Sequence, residues 1–396
     1  MLRQVEGSKA VADAVAACMP EVICAYPISP QTHIVEGLSA LVKDGSLKNC
    51  EFINVESEFA AMSVAIGSSA TGARTYTATA SQGLLYMVEA VYNASGLGLP
   101  IVMTVANRAI GGPINIWNDH SDSMSQRDSG WLQLYAENNQ EAVDLHIQAF
   151  KIAEEMSMPV MVCMDGFILT HAYEQVDIPT AEEVAAFLPP FTPRQHLDPA
   201  DPVSIGAMVG PESFMEVKYL AHQRMIDSER VVKRVAEEFE QHFGRKSGGL
   251  VRTYRTEGAE TVVLALGSII GTLKDVVDDL QLDGHSIGVV GLTSFRPFPY
   301  DAVAVALKSA KRVIILEKAF STGTGGIVTL DVARAIEGMD IKDFTLIAGL
   351  GGRPITIASL RNYLLNAMKE NIDRTTFLGL EVDTVEIEIN KERALR

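Results

Sequence analysis

The sequence predicts an α/β protein with two open parallel sheets and helices on both faces of each. Short apolar segments of the strand type alternate with segments whose apolar residues recur at helical spacing, both before residue 178 and after residue 257. This alternation is typical of β-α units, which place parallel strands side by side. A stretch of different composition separates the two regions. We therefore predict domains at 1–177 and 258–396 and a proline-rich connector with a long helix at 178–257.

Composition narrows the class of protein. The 396 residues suffice for two or three domains with their own cores, and the 47% hydrophobic and 21% charged residues are typical of a globular chain. The formal net charge of −17 argues against nucleic acid as a partner, because phosphates repel such a surface. No apolar run reaches membrane length and the N-terminus lacks signal-peptide features, so we predict a cytoplasmic protein without membrane contact.

The four cysteines predict no metal or cluster site. They are Cys18, Cys24, Cys50 and Cys163, and none forms a CxxC pair. Iron–sulfur clusters and structural zinc sites both need such closely spaced thiolates. We expect buried thiols instead.

The first region opens with a predicted helix at 8–19, for which Ser8 is the expected N-cap, and a buried strand at 22–25. The strand leads into the turn Tyr-Pro-Ile-Ser-Pro at 26–30, which its two prolines make rigid. Rigid loops at the carboxyl ends of parallel strands are where α/β folds place ligands. A helix is predicted at 32–43.

The segment 51–91 contains a carboxylate in the first turn of a helix whose other residues are suited to burial. A strand at 52–55 precedes Ser57, a predicted N-cap, and a second strand at 75–79 leads through the turn 81–83 into another helix. The helix after Ser57 has residues suited to burial, namely Phe59, Ala60, Ala61, Val64 and Ala65. Glu58 lies in its first turn. It is either an exposed acid favoured by the helix dipole or a buried acid that holds a proton in a dry pocket, and the residues alone leave both interpretations open.

A strand predicted at 99–105 is followed by Arg108, and a long polar loop occupies 111–130. Arg108 is either a surface arginine or a group that binds a carboxylate through two parallel hydrogen bonds. The loop contains a single histidine and no helical pair of ligands, so a hydrogen-bonded loop is predicted in place of a metal site. A helix to about residue 156 and a strand at 160–166 complete the first sheet.

The second region follows a connector rich in proline. A long helix is predicted at 214–243, either bridging the domains, packing on a partner or solvated; its apolar positions are Val217, Leu220, Met225, Val231, Val235 and Phe239. A strand with the glycine turn after it is predicted at 261–268, strands at 287–290 and 313–317, and a last strand and turn at 346–353, before a helix at 357–369. The glycine turn at 323–326 matches no phosphate-binding pattern and is interpreted as structural, or at most as a docking surface.

Four motifs in order resemble one family. They are YPISP at 26–30, ESE at 56–58, TASQGL at 79–84, and Arg108 followed by NDHSD at 118–122. Together they resemble the pyrimidine-binding domain of the 2-oxoacid:ferredoxin oxidoreductases, in their separate α-subunit form. The RPFP run at 296–299 resembles the transketolase C-terminal domain. The resemblance implies a thiamine-diphosphate pyrimidine-binding fold followed by a transketolase C-terminal-like domain.

The same resemblance implies an activity. The expected reaction is the coenzyme A-dependent oxidative decarboxylation of pyruvate to acetyl-CoA, CO2 and reduced ferredoxin, catalysed only within a multi-subunit complex. One alternative is a member of the same family that acts on another 2-oxoacid, such as an aromatic or branched-chain acid, 2-oxoglutarate or oxalate. The other alternative is a non-catalytic assembly subunit.

Residue roles follow from the resemblance as well. Glu58 is expected to be catalytic, hydrogen-bonding N1′ of the thiamine aminopyrimidine, and Ser29 and Arg108 are expected to bind substrate. The predicted cofactor contacts are Glu58, Pro27, Ile28, Ser81 and Gln82. Position 164 is Met where a magnesium-binding Gly-Asp-Gly turn needs glycine. The Mg²⁺-diphosphate site is therefore expected on a β subunit, the iron–sulfur clusters and third domain on γ and δ or fused subunits, and no metal ligand in this chain.

Overall fold

The computed structural model describes residues 2–395, which form an α/β protein with two large sheets and one two-stranded sheet. The strands are β1 (Leu2–Glu6), β2 (Val22–Ala25), β3 (Glu51–Asn54), β4 (Thr75–Thr79), β5 (Val102–Asn107), β6 (Leu132–Tyr135), β7 (Val160–Asp165), β8 (Tyr173–Asp177), β9 (Val251–Tyr254), β10 (Thr261–Ala265), β11 (Ile287–Leu292), β12 (Ser294–Arg296), β13 (Arg312–Glu317), β14 (Lys342–Ile347) and β15 (Thr375–Phe377).

The helices alternate with these strands through both regions. They are α1 (Gly7–Ala17), α2 (Thr32–Lys43), α3 (Glu58–Ala70), α4 (Ser81–Tyr86), α5 (Val88–Gly96), α6 (Ser121–Ser125), α7 (Asn139–Met156), α8 (Ala181–Phe187), α9 (Phe214–Phe243), α10 (Ile269–Leu282), α11 (Tyr300–Leu307), α12 (Val328–Ala335), α13 (Ile357–Met368) and α14 (Val382–Ala394). Within residues 2–395, none of these helices has the length and apolar character needed to cross a membrane.

The first sheet has the strand order β12-β6-β7-β5-β4-β2-β3, and its strands run parallel except β12. Parallel neighbours end at the same edge of a sheet. The carboxyl ends of β5, β4, β2 and β3 therefore lie side by side, and each continues into one of the four family motifs.

The second sheet has the order β15-β14-β13-β10-β11-β9, with β9 antiparallel to β11. The predicted architecture of two open, mainly parallel sheets is confirmed, with an antiparallel strand at one edge of each. Strand β12 was not predicted: it follows β11 in the chain but pairs with β6 of the first sheet, Ser294 opposite Leu134. Three residues are too short for an alternating pattern to be recognised in sequence.

The two sheets share one apolar cluster. It includes Met103 and Met161 of the first sheet and Val262 and Val313 of the second, all fully buried. Burial of side chains from both sheets in one cluster stabilises the two regions as a unit.

The predicted N-cap role of Ser8 is wrong. Helix α1 begins one residue earlier, at Gly7, without a side-chain cap. The backbone N–H groups of Gly7 and Ser8 donate to Ala172 O (3.0 Å) and Thr170 O (2.9 Å), and the Ser8 hydroxyl also donates to Thr170 O (2.8 Å). Because carbonyls of the segment before β8 already satisfy these donors, no side-chain cap is needed.

Helix α9 spans the residues predicted for it, but only the second half of its apolar face is buried. Val231, Val235 and Phe239 are buried against the first domain, whereas Val217 and Leu220 are exposed. The connector also contains α8, which begins with a capping box formed by Thr180 and Glu183 that was not recognised.

Other elements differ at their ends or were missed. Strand β5 begins three residues later than predicted, and β1, β6, β8, β9, β15 and α14 were not predicted. Cys18, Cys24 and Cys163 are buried as expected, and Cys50 is half-buried. The missed elements are mostly short strands, for which single-sequence periodicity carries little information.

Candidate active site

The predicted site residues lie along one edge of the first sheet. Arg108 follows β5, Ser81 follows β4, Ser29 lies in the turn after β2, and Glu58 follows β3. These four strands are neighbours in the sheet. The side chains therefore come from consecutive strand ends, the usual position of a ligand site in an open parallel sheet.

Glu58 is the first residue of α3. Ser57 caps this helix as predicted, since its hydroxyl accepts from the backbone N–H of Ala60 at 3.2 Å. Glu58 is only 9% exposed, which favours the buried interpretation over the solvent-exposed one. Phe59, expected to be buried, is 39% exposed. Among residues 2–395, no group donates a hydrogen bond to the Glu58 carboxyl.

Gly83 provides the space for this carboxyl group. A Cβ at position 83 would lie 2.8 Å from Glu58 Oε1 and 2.6 Å from Thr79 Oγ1. Thr79 Oγ1 is itself buried and has no hydrogen-bond partner among the described residues. A buried acid and an unpartnered hydroxyl thus lie beside the same glycine, which suits contact with the polar edge of a ligand more than an apolar core.

Ser81 has a positive φ of 49°, in the left-handed region that non-glycine residues seldom adopt. Its buried hydroxyl has two acceptors within the protein for its single hydrogen, Ala109 O at 2.5 Å and the neighbouring Gln82 Oε1. Gln82 is half-buried, and its amide lies against Gly111 with no room for a side chain there. Ser81 therefore shapes the turn, while Gln82 borders the site.

Asp122 ties these elements together. Its Oδ2 accepts from the backbone N–H of Ser81 (2.9 Å) and of Arg108 (3.0 Å), and its Oδ1 accepts from Asn107 Nδ2 (2.8 Å) and from the Ser123 N–H (2.7 Å). Burial raises the pKa of Asp122 to about 6, although these four hydrogen bonds oppose the shift. The sequence predicted a hydrogen-bonded loop here without identifying this residue as its centre.

Arg108 is buried, and only some of its N–H donors have hydrogen-bond partners. Its Nη1 donates to Ser29 O at 3.0 Å and its Nε to Asn115 O at 3.2 Å. Burial lowers the pKa of Arg108, and nearby Asp122 opposes the shift. Among residues 2–395 no carboxylate forms an ion pair with its guanidinium. A guanidinium has five N–H donors, so donors remain for an anionic ligand.

The 26–30 turn presents Pro27 and Ser29 to solvent and leaves Ile28 half-buried. Gln31 holds the turn from behind, since its side-chain amide donates to Tyr26 O and Ala78 O, both at 2.9 Å. Ser29 meets Arg108 through its backbone carbonyl, which leaves its hydroxyl available.

The second domain reaches this edge through a buried ionic cluster. Asp165, at the end of β7, accepts from Lys318 Nζ (2.9 Å), His120 Nε2 (2.6 Å) and Ser268 N (3.2 Å). Burial alone would raise the pKa of Asp165, but Lys318 and His120 hold it well below its usual range. Lys318 and Ser268 belong to the second domain, so the cluster joins the domains beside the strand that precedes Arg108.

The glycine turn at 323–326 has a structural role, as interpreted from sequence. The Glu317 carboxylate accepts from the backbone N–H groups of Ile327 and Val328, each at 2.7 Å, and of Thr329 at 2.9 Å. An internal carboxylate thus occupies the start of α12, where a phosphate would otherwise bind.

Comparisons with known proteins agree with this geometry. Residues 13–237 match the family model of pyruvate flavodoxin/ferredoxin oxidoreductase, thiamine diphosphate-binding, and residues 259–360 match pyruvate:ferredoxin oxidoreductase core domain II. Pyruvate synthase subunit PorA of Methanosarcina barkeri is 47% identical, over 98% of this chain and 96% of that protein. PorA of Methanocaldococcus jannaschii is 45% identical over 96% and 98%, and ketoisovalerate oxidoreductase subunit VorA of Pyrococcus horikoshii is 39% identical over 90% and 91%.

A solved structure supports the fold. The 2-oxoglutarate:ferredoxin oxidoreductase from Magnetococcus marinus superimposes with a TM-score of 0.67 at 19% identity, over 94% of this chain. This chain spans about 65% of the length of that one. With the four motifs on adjacent strand ends and close relatives along its length, the chain belongs to the pyruvate flavodoxin/ferredoxin oxidoreductase family of thiamine diphosphate-binding proteins.

Proposed function

We propose that this chain is the α subunit of a pyruvate:ferredoxin oxidoreductase, or pyruvate synthase. The assembled enzyme converts pyruvate, coenzyme A and oxidised ferredoxin into acetyl-CoA, CO2 and reduced ferredoxin. Greater identity to the PorA subunits (47%) than to VorA (39%) supports pyruvate over a branched-chain 2-oxoacid. Steady-state kinetics of the complex on pyruvate, 2-oxoisovalerate and 2-oxoglutarate test this choice, and a higher kcat/KM for either of the other acids would reverse it.

The observation that carries the proposal is the Glu58 carboxyl, buried above Gly83 without a hydrogen-bond donor. A buried carboxyl group without a hydrogen-bond partner in its own chain is available to bind a polar atom of a ligand. Thiamine diphosphate supplies the electron sink for decarboxylation when it is bound. Glu58 holds or returns a proton at N1′ of its aminopyrimidine, with Pro27, Ile28 and Gln82 around the ring.

Substrate recognition falls to Arg108 and Ser29. The free N–H donors of the Arg108 guanidinium match the carboxylate of a 2-oxoacid, which can accept two parallel hydrogen bonds. Ser29 lies at the same edge, and its hydroxyl is suited to donate to the keto oxygen. Asp122, which binds the backbone at Ser81 and Arg108, fixes the distance between the cofactor and substrate halves of the site.

The remaining parts of the enzyme belong to other subunits. Asp165, the residue nearest to a magnesium-binding turn in sequence, has its carboxylate engaged by Lys318 and His120. This supports a β subunit as the source of the Mg²⁺-diphosphate site. The lack of a CxxC pair among Cys18, Cys24, Cys50 and Cys163 supports γ and δ or fused subunits as the source of the iron–sulfur clusters, together with the third domain. The first half of α9 exposes Met215 and Tyr219, an apolar surface suited to subunit contacts.

Glu58→Gln tests the assignment of the acid. Glutamine is nearly isosteric, so folding and assembly should be unchanged, but the amide cannot exchange a proton with N1′. We expect hydrogen–deuterium exchange at C2 of the bound cofactor to slow by about 10²–10⁴-fold. Glu56, exposed two residues earlier, offers the matched control Glu56→Gln, which should exchange at the wild-type rate. Wild-type exchange in Glu58→Gln would refute the assignment.

A further inference from the structure

Three side chains with metal-ligating atoms meet beside the small sheet of β1 and β8. Glu6 is the last residue of β1, His33 lies in the first turn of α2, and His171 lies between β7 and β8. One ligand atom of each is within 4.8 Å of the other two. Glu6 Oε1 lies 2.7 Å from His33 Nδ1, and the two imidazole ring centroids are 4.8 Å apart. None of the three belongs to the proposed active site.

The backbone holds these side chains in place. The residues on either side of His171 are bound to the start of α1, since Thr170 O accepts from Ser8 N at 2.9 Å and Ala172 O accepts from Gly7 N at 3.0 Å. Thr170 Oγ1 lies 2.8 Å from His171 Nδ1, which orients the ring and leaves Nε2 as its ligand atom. The position of His171 next to the end of β1 is therefore determined without any metal.

Helix α2 is also closely packed on α1. A Cβ added at Gly37 would lie 3.1 Å from the Ala12 Cβ, so the glycine permits this approach. The close packing fixes where the first turn of α2, with His33, lies relative to the end of β1. Ligands on separate but rigidly packed elements form a preorganised site.

The donor set is that of a transition-metal site. Two imidazoles and one carboxylate are the protein ligands of many zinc sites whose fourth position holds water. We propose that Glu6, His33 and His171 bind one divalent transition metal ion, with Zn²⁺ as the matching probe. The side chain of His33 is 49% exposed, which leaves room for the water ligand.

The site lies directly behind the proposed substrate turn. Helix α2 starts at Thr32, and the preceding Gln31 holds the 26–30 turn by hydrogen bonds to Tyr26 O and Ala78 O. A metal at Glu6, His33 and His171 joins the first turn of α2 to the β1–β8 sheet. A metal ion that binds the folded chain and not the unfolded chain raises the unfolding temperature as the free metal concentration rises.

The experiment titrates Zn²⁺ into the full-length chain, without an affinity tag and after treatment with a chelator, by isothermal titration calorimetry. We expect one Zn²⁺ per chain and a higher unfolding temperature with Zn²⁺. Loss of outer-sphere partners already costs 10–100-fold in metal affinity, so loss of a ligand in His33→Ala or His171→Ala should weaken binding at least about tenfold. Co²⁺ in place of Zn²⁺ should give the visible absorption of a four-coordinate ion.

His222, exposed on α9 far along the chain, offers the matched control. His222→Ala should bind Zn²⁺ as the wild type does. Equal unfolding temperatures of all variants without metal establish that each is folded, and Glu6→Gln tests the carboxylate with its shape retained. No binding by the wild-type chain, or undiminished binding by the His33→Ala/His171→Ala double variant, would overturn the proposal and leave an ordinary Glu6–His33 hydrogen bond.

Discussion

Asp122→Asn tests how the two halves of the site are held together. Each Asp122 oxygen accepts two hydrogen bonds: Oδ2 from the backbone at Ser81 and Arg108, and Oδ1 from Asn107 and Ser123. An asparagine has one oxygen, so in either orientation its NH2 group faces two N–H donors. Leaving a buried donor unpaired costs about 1–3 kcal/mol, so two cost about 2–6 kcal/mol.

That loss is a large fraction of the about 5–15 kcal/mol that stabilises a typical domain, so the free energy of unfolding should fall measurably. Because Asp122 holds the backbone at Ser81 and Arg108, the variant should also lose activity. A displacement of about 1 Å between reacting groups costs about 10²-fold in rate, and we expect a fall of that order in kcat/KM for pyruvate. Urea unfolding of the chain and steady-state assays of the assembled complex measure the two effects.

The pH dependence gives an independent test of the same residue. Burial raises the pKa of Asp122 to about 6. Below that pH the carboxyl group carries a hydrogen on an oxygen that accepts from N–H donors, so those hydrogen bonds are weakened. Wild-type activity should fall as the pH drops through about 6, and Asp122→Asn should lack this step. Asp128→Asn makes the same change at an exposed carboxylate of the same loop and should match the wild type. Wild-type stability and kinetics in Asp122→Asn would refute the reasoning.

Three further predictions concern the substrate, the domain contact and the missing subunits. Arg108→Ala should raise the activation free energy for kcat/KM on pyruvate by about 2–4 kcal/mol, while thiamine diphosphate still binds. Loss of cofactor binding with normal substrate kinetics would contradict the assignment of Arg108 to the substrate. Lys318→Met removes the lysine partner of the buried Asp165 and should destabilise the chain by about 3–5 kcal/mol in urea unfolding, whereas Lys391→Met, on exposed α14, should not. The purified chain alone should show no turnover with pyruvate, coenzyme A and a viologen acceptor, and turnover without partners would disprove the proposed division between subunits.

Local patterns in the sequence were enough to predict the order of the main elements. The strand at 22–25, the helices at 32–43 and 214–243, and the Ser57 cap all lie where the patterns indicate. Alternation, helical spacing and capping residues report interactions within one element or its nearest neighbours, and such signals are visible along the chain. The family resemblance also implied that Glu58, Ser29 and Arg108 serve one site, and each of them follows a strand that the sequence predicted.

Contacts between distant segments were decided only by the tertiary structure. The pairing of β12 with the first sheet, the Asp165–Lys318 contact and the capping of α1 by carbonyls near Thr170 each join residues more than a hundred positions apart. The sequence predicted no metal ligand because its cysteines and the histidine of its polar loop have no closely spaced partner ligand, whereas the ligands proposed here come from three separate segments. Hydrogen bonds and ion pairs depend on distances of about 3 Å in space, and only the packed fold sets those distances between segments far apart in the chain.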